Sequence, residues 1–359
     1  MAKNTDDLYM VRALSLARKG QGLTGVNPTV GAVLVKNGRI IGEGFHVKSR
    51  LDHAEIVALD GLSPKVTKGA VLFVTLEPCC HTDKQTPPCT ARIIEAGIRK
   101  VVVGMIDPNP KVSGKGINKL RKAGISVVIR PMGLKVGGLN EFYFKSIKTS
   151  LPYMTIKHAI SLDGKIAAAD GSSKWISNEK SRREVHKMRK SYDAVMTTAV
   201  TVNKDNPGLT VRMIKGRDPK RIVVDWYMDT DIRSKVYRDN NVRVITGMES
   251  AVEKIDEFKS KGIEVVSYDK SNGLRPVLAD LYASGIGSVL IEAGGRFAAR
   301  LIKETLVDKL IYFISPLILG EEGVNAVGSL HIGSMKDAIK AHAVKVKRLD
   351  DDTMVEVLL

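Results

Sequence analysis

The sequence predicts an α/β protein of two domains, and three observations carry that prediction. Its 359 residues suffice for two domains of ordinary size, each with its own core. Apolar residues at 43% beside charged residues at 26% are the balance of a soluble globular chain. Strand-like and helix-like segments alternate as far as about residue 150, then begin again after Pro152.

The first half reads as follows. Asp6 to Lys19 carries Met10, Ala13, Leu14 and Ala17 at helical spacing, with Thr5 or Asp6 as N-cap. Thr29 to Val35 and Arg39 to Phe45 flank Asn37-Gly38, a strong hairpin signal. A helix is expected from His53 to Asp60, a strand over Ala70 to Thr75 and a helix over Thr90 to Ala96 closed by Gly97. Lys100 to Met105 and Ile125 to Ile129 read as strands around a helix at Ile117 to Ala123. This is a three-layer pattern with an antiparallel hairpin at its front.

Leu134 to Ser150 reads as a helical connector. Beyond it, strands are expected at Tyr153 to Ala159, Asp193 to Met196, Arg221 to Asp225, Val242 to Thr246, Ile263 to Ser267, Ser288 to Glu292 and Lys309 to Ile314. Helices fit Glu179 to Arg189, Val277 to Ser284 and Phe297 to Ile302. Ala343 to Lys347 and Met354 to Leu358 read as a closing antiparallel pair.

Composition narrows the function classes. No apolar run follows the first residues, so no signal peptide is expected, and Leu310 to Leu319 is too short to span a bilayer. Three cysteines make no disulfide framework; they suit a reducing compartment and a metal site, and a cytoplasmic location is expected. The net charge of +17 is scattered over lysines such as Lys111, Lys115, Lys119, Lys122, Lys254, Lys259 and Lys261. A solvated lysine-rich surface explains it better than a nucleic-acid footprint, and no nucleic-acid or membrane partner is expected.

The chemistry concentrates between His53 and Cys89. His53-Ala54-Glu55, Pro78-Cys79 and Pro87-Pro88-Cys89 offer one imidazole and two thiolates, the ligand types Zn²⁺ prefers, with a fourth position open to water. Glu55 is the candidate proton shuttle of a zinc deaminase, H-x-E followed by P-C and a second cysteine. Positions two apart do not share a helix face, so the pairing of His53 with Glu55 rests on the motif. A structural zinc with Cys80 or His81 as fourth ligand is the alternative.

Taken with Thr75-Leu76-Glu77-Pro78-Cys79, these residues resemble the N-terminal half of the bifunctional riboflavin-biosynthesis deaminase/reductase family. Asn27-Pro28-Thr29-Val30-Gly31 matches that family's N-P-x-V-G stretch, and Asp107-Pro108-Asn109-Pro110 its D-P-N-P segment. The likeness runs to the C-terminus. It implies a cytidine-deaminase-like three-layer α/β/α deaminase domain over 1–148 and a dihydrofolate-reductase-like α/β domain over 149–359, using Zn²⁺ and NADPH. It also implies a phosphorylated pyrimidine substrate, 2,5-diamino-6-ribosylamino-4(3H)-pyrimidinone 5′-phosphate. That compound is deaminated at ring C2, then reduced from ribosyl to ribityl. Asn27 and His81 carry over as substrate contacts, and a homo-oligomer is expected.

The spacing departs from the family. Cys79 and Cys89 lie ten positions apart where relatives usually have nine, which raises Cys80 as a rival ligand. Cys79 is favoured because the family's ligand directly follows the proline.

In the second half, Lys157, Ser161-Leu162-Asp163-Gly164-Lys165 and Trp175-Ile176-Ser177 recur in the family's reductase. Thr201, Asp205-Asn206-Pro207-Gly208-Leu209 and Arg212 combine a helix start, a carboxylate and an arginine, suited to a nucleotide and a phosphate. Glu292-Ala293-Gly294-Gly295-Arg296-Phe297 follows a strand and opens a helix, where glycines let backbone N–H groups approach an anion; a tight turn with no ligand reads equally well. The resemblance implies NADPH contacts at Ala159, Trp175, Thr201, Asp205, Gly294, Gly295, Arg296 and Phe297. It implies substrate contacts at Lys157, Ser173, Arg189, Leu209, Arg212 and Glu292. On its own, Arg189 on a helix reads as a solvated charge. Trp226 stands where relatives often carry a small polar residue.

Two rival functions are weighed. A nucleoside or tRNA deaminase fused to an inactive reductase-like domain would use C-x-x-C spacing, which the Cys79 to Cys89 interval lacks. An RNA-binding zinc module would need a stacking set, and aromatics are only 5%.

Overall fold

Met10, Ala13, Leu14 and Ala17 form the buried stripe of α1 (Thr5–Lys19), whose acidic first turn and basic last turn match the helix dipole. The computed structural model describes residues 5–50, 52–82 and 86–359. After α1 come β1 (Gly31–Lys36) and β2 (Arg39–Phe45), joined by Asn37 and Gly38 at φ of 50° and 73°, the left-handed pair a two-residue hairpin needs. Next follow α2 (Ala54–Leu59), α3 (Pro64–Thr67), β3 (Val71–Val74), α4 (Cys89–Glu95), β4 (Lys100–Val103), α5 (Lys115–Lys122), β5 (Ser126–Ile129), α6 (Gly133–Leu139) and α7 (Glu141–Thr149).

The strand order is β2-β1-β3-β4-β5, antiparallel in the hairpin and between β1 and β3, and parallel from β3 to β5. Alternation along the strands builds the three layers. Val33, Val35, Phe73 and Val102 pack with Met10 and Leu16 of α1. Ala32, Leu34, Leu72, Val74, Val101 and Val103 face the other way, toward Leu59 of α2, Ile93 of α4 and Leu120 of α5. A Cβ at Gly44 would lie 2.2 Å from the Ala54 carbonyl oxygen, so glycine there lets α2 lie directly on the hairpin.

The expected single connector is instead two helices, α6 and α7. They part at Asn140, whose side chain accepts from the Thr29 N–H at 2.6 Å and donates to the Thr29 carbonyl at 3.1 Å. This buried anchor to the start of the hairpin gives the break a tertiary cause. The first compact unit ends at Ser150 and the second is Leu151–Leu359.

The second unit contains β6 (Tyr153–Ile160), β7 (Lys165–Ala167), α8 (Glu179–Ser191), β8 (Ala194–Thr198), α9 (Ala199–Asp205), β9 (Lys220–Val224), β10 (Val242–Gly247), α10 (Val252–Ser260) and β11 (Glu264–Tyr268). It continues through α11 (Arg275–Ala283), β12 (Ser288–Ile291), α12 (Gly295–Lys303), β13 (Lys309–Ile314), β14 (Val324–Asn325), β15 (Ala343–Leu349) and β16 (Asp352–Leu358). Nine strands run in the order β11-β10-β9-β8-β12-β6-β13-β16-β15. The first seven are parallel neighbours, and the last two close the sheet as the antiparallel pair expected from the sequence. Because β12 returns between β8 and β6, the strand order reverses there, and the carboxyl ends of these strands are where such sheets take ligands.

Candidate active sites

In the first unit, the end of one strand and the starts of two helices converge. His53 is the extended residue before α2, with φ −76° and ψ 159°, while Glu55 lies in that helix's first turn. This corner, not helix periodicity, lets two residues so close in sequence serve one place. Cys79 follows β3, and Cys89 opens α4 behind Pro88.

His53 Nδ1 stands 3.5 Å from Cys79 Sγ and 3.2 Å from Cys89 Sγ, and all three ligand atoms lie within 4.8 Å of one another. Zinc bonds of about 2.3 Å to sulfur and about 2.0 Å to nitrogen, at tetrahedral angles, place N and S about 3.5 Å apart. The three residues therefore fit a zinc ion. Cys89, by its thiol and then its backbone N–H, together with the His53 ring, holds the Cys79 thiol well below the usual range, against the effect of burial. Such a sulfur is ready to ligate. Glu55 is buried, and that burial pushes its carboxyl above the usual range.

Cys80 stands outside this group. Its Sγ faces the Lys111 carbonyl at 3.9 Å, and burial raises its thiol. His81 is half-buried beyond it. The exposed Asn27 donates its amide to His46 Nε2 at 3.3 Å, and His46 Nδ1 meets the Asp52 carbonyl at 2.8 Å. The His46 ring lies edge-on to His53, with centroids 5.4 Å apart. Sequence reasoning missed His46, a lone histidine in no motif.

The second unit gathers its polar groups from distant segments. Arg189 of α8 donates to both Glu292 oxygens, at 2.6 and 2.9 Å, and to the Thr210 carbonyl at 3.0 Å. Lys157 Nζ is 3.5 Å from Glu292. The three side chains are only 11–15% exposed, which corrects the solvated reading of Arg189. Burial opposes the Glu292 charge, yet Arg189 and Lys157 outweigh it and hold that carboxyl down at about 2. Two cations thus contact the single carboxylate of Glu292.

The Arg212 backbone N–H donates to His186 Nδ1 at 3.0 Å, in the turn of α8 before Arg189, while Leu209 is buried at φ 50°. Thr201 Oγ1 lies 3.4 Å from Thr198 Oγ1, Ala159 and Ser173 are half-buried, and Asp205 is exposed at the end of α9. Trp175 is apart from the Glu292 cluster, 70% exposed under the Arg182 guanidinium at 4.5 Å.

At α12, Gly294 is the N-cap, with open space where a Cβ would sit. A Cβ at Gly295 would strike the Asn325 carbonyl oxygen at 2.3 Å. Arg296 is exposed and Phe297 half-buried. Bare backbone N–H groups beside open space fit a dinucleotide's phosphates. His158, also missed, lies 2.8 Å by Nε2 from the Ala293 carbonyl and so braces this turn. Ser161-Leu162-Asp163-Gly164-Lys165 is a brace as well. Asp163 accepts from the Gly320 N–H at 2.8 Å, and Lys165 Nζ reaches Asn325 Oδ1 at 2.7 Å. At Trp226 the Arg300 guanidinium lies 5.8 Å from the ring centroid.

Comparison with known proteins supplies the family. Residues 152–355 match the RibD C-terminal domain, and residues 3–105 the zinc-binding region of cytidine and deoxycytidylate deaminases. The riboflavin biosynthesis protein RibD of Aquifex aeolicus is 41% identical over 99% of both chains. The chain belongs to the RibD family. The Escherichia coli RibD is 34% identical over 98% of this chain and 99% of that protein. Among solved structures, an Acinetobacter baumannii RibD superposes with a TM-score of 0.87 at 32% identity, covering 99% of this chain and 98% of the other. A Thermotoga maritima protein described as a diaminohydroxyphosphoribosylaminopyrimidine deaminase/5-amino-6-(5-phosphoribosylamino)uracil reductase gives 0.86 at 38% identity, with the same coverage.

RibD joins a zinc-dependent deaminase to an NADPH-dependent reductase in riboflavin biosynthesis, and its substrate is a small phosphorylated pyrimidine. The fused nucleoside or tRNA deaminase is not favoured. Among the described residues no helix is long and apolar enough to cross a membrane.

Proposed function

We propose that residues 1–148 deaminate 2,5-diamino-6-ribosylamino-4(3H)-pyrimidinone 5′-phosphate at ring C2, and that residues 149–359 then reduce its ribosyl group to ribityl. The observation that carries this reading is the His53, Cys79 and Cys89 group at zinc-ligand spacing, with Glu55 buried in the next helical turn.

His53, Cys79 and Cys89 would hold the zinc ion. Bound there, zinc supplies a Lewis acid that makes water acidic near neutral pH. Glu55 then moves protons, taking one from the attacking water and delivering protons to the ring nitrogen and the departing amine. The balance is one water consumed and one ammonia released. Asn27 and His81 orient the pyrimidine.

In the reductase, Ala159, Trp175, Thr201, Asp205 and the turn Gly294, Gly295, Arg296 and Phe297 would hold NADPH, which supplies a hydride for C1′. Lys157, Ser173, Arg189, Leu209, Arg212 and Glu292 would hold the substrate. The surplus positive charge of Lys157 and Arg189 over Glu292 supports an anionic ligand such as its phosphate. Lys157 and Asp205 are the groups nominated for polar or proton-handling roles in this step.

A cytoplasmic homo-oligomer acting without nucleic acid or membrane completes the proposal. The homo-oligomer is supported by the edge strand β15, where Val344 and Val346 are exposed, a surface that chains tend to cover. The test is substrate choice. Ammonia release from the phosphoribosyl-aminopyrimidine, with none from cytidine or tRNA, is expected; the reverse selectivity would refute it.

A further inference from the structure

Glu77 belongs to the T-L-E-P-C stretch, yet no step above uses it. It is 4% exposed in the loop three residues after β3, and its own N–H donates to the Met105 carbonyl at 2.9 Å. The carboxylate accepts three backbone N–H groups: Asp107 at 3.3 Å, Gly114 at 2.9 Å and Ile117 at 3.1 Å. These donors belong to the segment after β4 and to the first turn of α5, where unpaired N–H groups need an acceptor.

A second contact pins the same place. A Cβ at Gly116 would lie 2.1 Å from the Pro78 carbonyl oxygen, so α5 packs backbone to backbone against the residue before Cys79. On the far side, Cys79 Sγ accepts from the Cys89 N–H at 3.3 Å, and its carbonyl accepts from the Thr90 N–H at 3.2 Å. Pro78-Cys79 is thus clamped between the starts of α4 and α5, and Glu77 makes the second grip.

We infer that Glu77 is a positioning residue for deamination: its carboxylate locks α5 against Pro78 and so sets where the Cys79 sulfur stands relative to His53 and Cys89. The inference rests on the zinc reading of that group. Glu77→Gln tests it, because a carboxamide keeps one acceptor oxygen and turns an NH₂ toward donors it cannot serve. In full-length, zinc-loaded protein, zinc transfer to a chromophoric chelator is expected to speed up about 10- to 100-fold, and the deaminase kcat to fall by a similar factor. NADPH-dependent reduction by the same chain stays unchanged.

A role in stability alone would lower the thermal midpoint and leave zinc transfer and kcat at their wild-type values below it. That result overturns the inference. Should the variant fail to fold, amide exchange in the wild type decides. Because coupling is reciprocal, stripping zinc is expected to cut protection at Asp107, Gly114 and Ile117 while sparing the β1 amides. Unchanged protection at those three amides refutes the clamp. A wild-type chain that takes up no zinc would instead defeat the deaminase reading, and this inference with it.

Discussion

The two sites are assembled in opposite ways. The metal group of the first unit spans 36 positions, from His53 to Cys89, with His53 and Cys89 at helix starts and Cys79 in the loop after β3. The charged cluster of the second unit joins Lys157 to Glu292 across 135 positions and draws Arg189 from a helix between them. Zinc accepts few residue types, so the first site announces itself by chemistry and spacing. Lysine, arginine and glutamate are surface residues nearly everywhere, and only the folded sheet gives the second site its meaning.

If the two sites work independently, single changes should disable one half and spare the other. The largest effect is expected from Glu55→Gln. Loss of the proton carrier should slow ammonia release by about 10²–10⁴-fold while zinc content and NADPH consumption hold. Metal analysis beside the two assays checks it. Glu292→Ala comes next. It leaves Arg189 and Lys157 buried without their counter-charge, at a cost of about 3–5 kcal/mol, so urea should unfold the second unit earlier and reduction should fail while deamination persists.

Acid should also divide the halves. Burial, reinforced for His186 by Arg189 and Arg212, lowers His158 and His186 from 6.5 to about 4. Each stays neutral when folded and takes a proton when unfolded. Their contribution is therefore full above 6.5 and is lost as pH falls through about 4. Both tryptophans, Trp175 and Trp226, lie in the second unit, so indole fluorescence in urea reads that unit and should show weaker stability at pH 4.5 than at pH 7. The smallest effect is expected from Cys80→Ser, with zinc content and both rates unchanged, because Cys80 faces the Lys111 carbonyl rather than His53.

What could be read in advance follows the same division. The Asn37-Gly38 hairpin and the closing β15–β16 pair are local patterns, and they recur in the fold. Helix α10 was not foreseen, since Phe258 is its only buried residue and the rest reads as polar linker. Strands β7 and β14, three and two residues long, exist only because each pairs with the other. The break at Asn140, the bracing by His158 and the grip of Glu77 depend on partners 30 to 135 positions away. No local pattern encodes them.

One chain would thus carry two separable chemistries, the first needing a metal ion and the second not. Chelator-treated protein, assayed side by side for ammonia release and for NADPH consumption on the already deaminated substrate, tests this most directly. The expected result is that deamination stops and returns with added zinc, while reduction continues at its original rate. Deamination that survives complete metal removal, or reduction that fails along with it, would contradict the claim.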